Sequence, residues 1–294
     1  MGADINMVKQ FENPVAYTFL GPFFVIYLLF TVYPVFQGLY MSFFEWDLLS
    51  PQHTFVGLRN YMAMFFNDQS FWRSMINTLQ FVLISSPIII GTGLLLALGL
   101  SRSKGAILRT MFFSSYVLSV AVVTLIWGFM LNPQQGLLGA AMQLFGLEPL
   151  AWLTNPRLAM YGIVLATLWW TVGFNMVLFI AGLQDIDGYL YEAATLDGAG
   201  PWRKFVPITL PGLKNTINLV TILQVIASFQ IFGQVYIMTR GGPGGTTRVL
   251  IQYIYETGFR DFRLGYSSAM SILLFILMFG ASLLQLKISQ RGDK

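Results

Sequence analysis

Six apolar runs, at residues 18–43, 74–101, 107–131, 158–182, 211–237 and 266–288, constrain what this chain can fold into more than any other feature. Each is at least as long as the roughly twenty residues needed to carry a helix across about 30 Å of hydrocarbon at about 1.5 Å per residue. Inside lipid every backbone amide has to be satisfied within the protein, and a run of this kind does so by becoming helical. A chain of 294 residues that is 55% hydrophobic and 10% charged also carries more apolar surface than a soluble globule of its size can bury. The expected class is an all-α polytopic membrane protein with six transmembrane helices.

The first run, FLGPFFVIYLLFTVYPVFQGLYMSFF, exceeds the core of a signal peptide and is followed by EWD rather than small residues, so it is expected to remain as a span. There is no cysteine, which removes disulfides and thiolate metal sites. The single histidine, His53, falls in a polar connection, where a solvated side chain is the expected state and a metal ligand is not. A net charge of +4 without an arginine-rich, aromatic-interleaved segment gives no basis for nucleic-acid binding.

Basic residues serve here as topology signals. The short connection SRSKGAILR carries Arg102, Lys104 and Arg109 with no acid, which assigns it to the cytoplasm. Parity then puts both termini and the 183–210 segment on the same side, with Lys9, Arg203, Lys204, Lys214, Lys287, Arg291 and Lys294. Ten basic residues fall inside and seven outside. The opposing signal is the external connection 238–265, where Arg240, Arg248, Arg260 and Arg263 face only Glu256 and Asp261. Longer connections cross with less regard to charge, so the short loop decides.

Of the external connections, 44–73 is rich in aromatics and is expected to hold a short interfacial helix at Asn60–Phe66; 132–157 is rich in Gly and Pro; 238–265 opens on TRGGPGGTT, which cannot continue a helix. The implied organisation is residues 1–72 as cytoplasmic N-terminus, first helix and external connection, 73–288 as a core of helices two to six containing a cytoplasmic segment at 185–211, and 289–294 as a cytoplasmic tail.

No G-x-x-x-x-G-K-[ST] run is present to cradle a nucleotide triphosphate, and one histidine without cysteine excludes H-E-x-x-H metal chemistry and most nucleophile dyads. Away from their ends the six runs carry essentially no charged side chain; Lys214 sits one turn from the cytoplasmic end, where it can snorkel. A proton- or sodium-coupled carrier usually places Asp, Glu, His or Arg near midplane. Energy for any transport is therefore expected from outside this chain.

Two helical faces nevertheless combine neutral hydrogen-bonding groups with large or apolar ones. Thr167, Trp170, Thr171 and Phe174 repeat at i, i+3, i+4 and i+7 in the fourth run, and Gln224, Ala227, Ser228 and Ile231 repeat that spacing in the fifth. Around a shared cavity such faces suit a neutral polyhydroxylated ligand, with rings against sugar faces and amides or hydroxyls reading its hydroxyl groups. Helix-to-helix hydrogen bonding requires the same residue types and, on spacing alone, is the commoner explanation.

The cytoplasmic segment is unusually polar for this chain. Asp187 can cap a helix from Gly188 to Leu196, Gly198 can end it with a left-handed residue, and Pro201 suits the first turn of a second short helix before Pro211 opens the fifth run. Two short helices joined at a glycine make a compact knob. Its alanines, Ala193, Ala194 and Ala199, allow close approach of another protein, while Glu192, Asp197, Arg203 and Lys204 offer directional contacts.

The string EAATLDGA at residues 192–199, followed by Phe205, Ile208 and the pair Leu210–Pro211, resembles the EAA motif of the integral membrane subunits of binding-protein-dependent ABC importers. It follows the pattern E-A-A-x-x-D-G-A and then I-x-L-P at its main positions. The TRGGPGGTT loop, the SFFEWDLLSPQHTFVGLRNY stretch after the first run and SFWRSMINTLQFVLIS leading into the second are similar to the maltose and oligosaccharide branch, first permease subunit type.

The resemblance implies a type I importer permease fold, with the first helix outside a five-helix core and a cytoplasmic EAA coupling helix. It implies that Glu192, Ala193, Ala194, Asp197 and Gly198 couple the chain to a cytoplasmic ATPase, and that Thr167, Trp170, Thr171, Phe174, Gln224, Ala227, Ser228 and Ile231 stand where the sugar is contacted. With the resemblance added, the cavity reading of the two faces is the favoured one. The implied partners are a second homologous permease subunit, two ATPase subunits carrying Mg-ATP, an external solute-binding protein, a neutral sugar and membrane lipid. The chain itself needs no cofactor or metal and catalyses no reaction. The implied location is the cytoplasmic membrane of a bacterium or archaeon. A polyol or glycerol phosphodiester is the alternative substrate class, and an ion-coupled secondary carrier or a non-transporting scaffold or sensor the more distant readings.

Overall fold

The computed structural model describes residues 14–50, 53–101 and 105–291, with the side chains of the two terminal helices described from residue 18 and up to residue 287. Lys9, Arg102, Lys104 and Lys294 lie outside the described residues, as does the side chain of Arg291.

The elements follow one another as α1 (Pro14–Tyr27), a π-helical turn (Leu28–Val32), α2 (Tyr33–Met41), β1 (Phe44–Glu45), β2 (Thr54–Phe55), α3 (Arg59–Met62), α4 (Gln69–Leu100), α5 (Ala106–Val117) and α6 (Val120–Met130). After these come α7 (Leu137–Leu144), α8 (Ala159–Gln184), α9 (Gly188–Leu196), α10 (Pro201–Lys204), α11 (Leu210–Gly212), α12 (Lys214–Phe229), α13 (Gly233–Met238), α14 (Leu250–Tyr255) and α15 (Leu264–Arg291).

Among the described residues, four helical stretches are long and apolar enough to cross a membrane: Thr18–Met41, Gln69–Leu100, Ala159–Gln184 and Leu264–Lys287. They coincide with the first, second, fourth and sixth apolar runs. The third run is not one straight helix: α5 and α6 meet at a bend of 103°. Leu118 and Ser119 are extended there, and the Ser119 hydroxyl caps the new helix by accepting from Val122 N. The fifth run is divided further: the short turn α11, with Pro211 in its first turn, ends at Leu213, and the helix that follows stops at Gln230 before resuming at Gly233. At 16 residues, α12 spans about 24 Å, short of the roughly 30 Å hydrocarbon layer.

The described residues up to Asn67, with Ile254–Leu273, form one compact unit; Asp68–Tyr253, with those from Leu274 onward, form the other. In the first unit β1 pairs antiparallel with β2 through Phe44–Phe55 and Glu45–Thr54. On its other side the chain at Phe262–Gly265 runs alongside, with Leu48 N bonding to Phe262 O and Gly265 N to Trp46 O, each at 3.0 Å. Asn60 Nδ2 closes the turn by donating to the Ser42 and Phe44 carbonyls at 2.9 Å. The expected interfacial helix at Asn60–Phe66 is present as α3 and a π-helical turn at Ala63–Asn67. His53 is exposed as expected, and its ring stacks on Trp46 with centroids 3.5 Å apart.

In the second unit α8 is central, packing against α4, α5, α6, α12 and α13. Asp68 caps α4 by accepting from Phe71 N at 3.0 Å and also accepts from the Tyr253 hydroxyl at 2.6 Å. At one end of α8 an apolar cluster joins Phe81, Ile163, Val164, Ile231 and Val235; at the other end a second cluster joins Ala97, Met176, Phe179, Ile180 and Val220. A third, around Val123, Trp127, Leu131 and Ala166, fixes α6. The TRGGPGGTT loop closes on itself through Thr239 and Thr247 hydroxyls 2.8 Å apart and is held to α4 by Asn77 Nδ2, which donates to the Gly245 and Arg248 carbonyls at 2.9 Å.

Candidate functional site

Between the two apolar clusters of α8, three helices of the second unit, α4, α8 and α12, turn polar at the same level. In α4 the change falls at Ser85 and Ser86, in α8 at Thr167, Thr171 and Asn175, and in α12 at Gln224 and Ser228. Asn175 Nδ2 donates to the Thr171 carbonyl and to Gln224 Oε1, both at 3.1 Å. Gln224 Nε2 donates to Ser228 Oγ at 3.1 Å, and Ser228 Oγ lies 3.2 Å from Ser85 Oγ and 3.1 Å from Ser86 Oγ. The belt contains no ionisable side chain. A buried polar group without a partner is costly, so this continuous chain of bonds holds α4, α8 and α12 in one arrangement.

The eight positions expected on the two faces do not all point the same way. Thr167 is buried and returns its hydroxyl to the Ile163 carbonyl at 2.8 Å, while Thr171, half-buried, does the same to the Thr167 carbonyl at 2.8 Å. Gln224 and Ser228 are buried in the belt, and Ile231 is buried in the apolar cluster with Phe81. Trp170, half-buried, donates its indole N–H to the Leu118 carbonyl at 3.1 Å, at the bend between α5 and α6. Phe174, also half-buried, stacks on Tyr116 of α5 with centroids 4.8 Å apart. Ala227 is exposed.

The structure thus brings Thr171, Gln224 and Ser228 into one network and directs Trp170 and Phe174 toward α5 and the bend. Three members, Asn175, Ser85 and Ser86, went unremarked in the sequence. A signal existed: Asn175 lies four residues after Thr171, and the serines interrupt an otherwise aliphatic run.

The knob is a second, separately built feature. Asp187 Oδ1 accepts from Tyr189 N at 2.9 Å and opens α9. At the other end Gly198 has φ +71°, Ala199 N bonds to Ala194 O at 2.9 Å and Gly198 N to Thr195 O at 3.0 Å. This pair of bonds is the Schellman termination, which needs a residue tolerant of positive φ. α10 then begins on Pro201, and Lys204 Nζ reaches back to the Thr195 hydroxyl at 2.8 Å. A π-helical turn at Phe205–Thr209 takes the chain past Pro207, which has no N–H to give, and Thr209 Oγ1 meets the Tyr191 hydroxyl at 2.9 Å.

Glu192, Asp197 and Gly198 are exposed on this knob, with Ala193 and Ala194 half-buried. Large apolar side chains stand out beside them, with Leu196 90% and Trp202 75% exposed. Sequence reasoning did not single these two out. Among the described residues there is no group of His, Cys, Asp or Glu side chains arranged to hold a metal ion.

Comparison with known proteins places the chain as a whole in a family and a fold. Residues 89–293 match the family model described as "Binding-protein-dependent transport system inner membrane component". The chain is 36% identical to the "Probable ABC transporter permease protein YurN" of Bacillus subtilis (strain 168), covering 98% of this chain and 100% of that one. It is 33% identical to the "Trehalose/maltose transport system permease protein MalF" of Thermococcus litoralis, covering 97% of each. Its backbone superposes with a TM-score of 0.84, over 95% of each chain, on a chain of a bacterial alginate ABC transporter crystallised with an alginate pentasaccharide-bound periplasmic protein; at 23% identity this likeness is one of fold.

Proposed function

The chain belongs to the family of binding-protein-dependent transport system inner membrane components, and we propose that it forms one half of the translocation path of an ATP-driven importer of a neutral sugar, of the oligosaccharide or glycoside class. A second, homologous permease subunit supplies the other half, two cytoplasmic ATPase subunits bind and cleave Mg-ATP, and an external solute-binding protein delivers the sugar. The trehalose/maltose system named for a relative covering 97% of this chain supports the substrate class. A polyol or a glycerol phosphodiester is the alternative cargo for the same machine.

The observation that carries this reading is a stapled knob with an exposed surface, joined to a helix interior without charge. The interior belt of Asn175, Gln224, Ser228, Ser85 and Ser86 offers no group that a coupling proton would titrate. The knob offers a stiff handle instead. Glu192, Ala193, Ala194, Asp197 and Gly198 are its ATPase-coupling residues, and closure of the ATPases rocks the permease halves as near-rigid bodies between inward and outward openings.

In this account α5 and α6 make one bent crossing, α12 completes a sixth crossing with α13, residues 73–288 are the core, and the knob and both termini are cytoplasmic. The sugar route follows the faces of α8 and α12. Trp170, Thr171, Phe174 and Ala227 keep accessible surface for the sugar, while Thr167, Gln224, Ser228 and Ile231 stand behind them and set their positions. The location is the cytoplasmic membrane of a bacterium or archaeon. Purifying the tagged chain with its natural partners, identifying the co-purifying binding protein and screening that protein against sugars tests the reading. A binding protein selective for a sugar supports it; one selective for an amino acid or a metal ion overturns the substrate class.

A further inference from the structure

A cleft of about 680 Å³ lies between the knob and the ends of the membrane-crossing helices α4 and α8, within the second unit. One wall is aliphatic, from Leu95 and Leu98 near the end of α4 and Leu183 near the end of α8. The knob contributes Tyr191, Trp202 and Phe205 to the lining. Among the described residues, Lys204 is the one charged side chain in the lining and no carboxylate is present.

We propose that this cleft holds one anionic phospholipid of the cytoplasmic leaflet, an acyl chain along the leucine wall and the phosphate on Lys204. The wall is continuous with the outer surface of the spans: Leu95 is 70% exposed and sits in a helix that crosses the bilayer, so an acyl chain enters without leaving apolar surroundings. Tyrosine and tryptophan are the side chains favoured at the boundary between hydrocarbon and water, and Tyr191 and Trp202 of the knob both line the cleft.

Charge selects the headgroup. The Lys204 ammonium bonds to the Thr195 hydroxyl, a neutral acceptor, which leaves two of its three protons and its full charge for a phosphate. A basic side chain at the cytoplasmic leaflet favours an anionic lipid by about five-fold, the equivalent of roughly 1 kcal/mol. The size is also suitable, since ligand clefts run to roughly 300–1,000 Å³. A lipid here would fill the space across which the knob bears on α4 and α8. The inference rests on the proposed function only for the side of the membrane, and its readout is lipid retention rather than transport, so either can fail alone.

The test uses the complete complex in nanodiscs of phosphatidylcholine mixed with phosphatidylglycerol, followed by native mass spectrometry after release. The expected result is one phosphatidylglycerol retained per copy of this chain, with Leu98→Trp abolishing retention by filling the cleft. Lys204→Gln should keep the lipid but lower the preference for phosphatidylglycerol over phosphatidylcholine about five-fold. No retained lipid, as when an ATPase segment fills the cleft, overturns the proposal. So does equal retention of the two lipids by the unmodified chain, or a preference unchanged in Lys204→Gln; the latter variant decides the matter even if Leu98→Trp does not assemble.

Discussion

The indole nitrogen of Trp170 donates to the backbone carbonyl of Leu118 at 3.1 Å, tying the middle of α8 to the point where the third apolar run turns by 103°. Leu118 is extended, and its carbonyl has left the ladder of α5. One side chain thus combines an accessible ring with a structural anchor.

Trp170→Phe keeps a ring and removes the donor, whereas Trp170→Ala removes both. Losing the bond is worth about 1.4 kcal/mol, or about ten-fold in a rate that depends on the bend. Sugar uptake in proteoliposomes should fall by that order in Trp170→Phe, which loses the bond alone, and by more in Trp170→Ala, with basal ATPase and assembly intact in both. Uptake unchanged in both, across related sugars, would make this face simple packing.

The belt predicts a coupled pair. Asn175→Leu leaves Gln224 Oε1 without its donor, and Gln224→Leu leaves Asn175 with only the Thr171 carbonyl. Each single change should lower the thermal stability of the purified complex by about 0.5–2 kcal/mol, in the range of interhelical bonds in membranes. The double variant should cost less than the two added together. Strict additivity would mean that the two side chains do not act as a unit.

Close approach at α5 gives a third test. A Cβ on Gly173 would collide with the Phe112 carbonyl, whereas one on Gly128 would meet nothing within 4 Å. Gly173→Ala should therefore destabilise the complex by about 1–3 kcal/mol through overpacking, and Gly128→Ala should be neutral. Melting curves of the two variants in one detergent make the comparison.

The knob supplies a fourth. Gly198 has φ +71°, where a β-branched residue is strained by about 1–2 kcal/mol and asparagine is tolerated better. Gly198→Val should abolish the rise in ATPase activity on adding the sugar-loaded binding protein, while Gly198→Asn retains most of it. Wild-type uptake by Gly198→Val would count against the knob as the coupling element.

Sequence patterns carried much of the fold because hydropathy and turn chemistry are local. The run at 158–182 appears as α8, and Asp187 and Gly198 bracket α9 as their side-chain chemistry requires. What remained hidden was set by partners distant in sequence. Nothing near Leu118 announces a bend, because its stabilising donor sits at residue 170 and its cap is a single serine. Helical spacing grouped Gln224 with Ala227, yet Gln224 turns inward toward Asn175, 49 residues away, and Ala227 is exposed. Spacing says which residues share a face and not what that face meets.

The central claim is that ATP hydrolysed by partner subunits, and not an ion gradient, drives a sugar through this chain. The most direct measurement is uptake of radiolabelled sugar into proteoliposomes holding the full complex, with binding protein outside, varying internal ATP and the membrane potential independently. The account predicts uptake that requires internal ATP and persists when the potential is collapsed. Uptake that survives without ATP but disappears with the potential would contradict it.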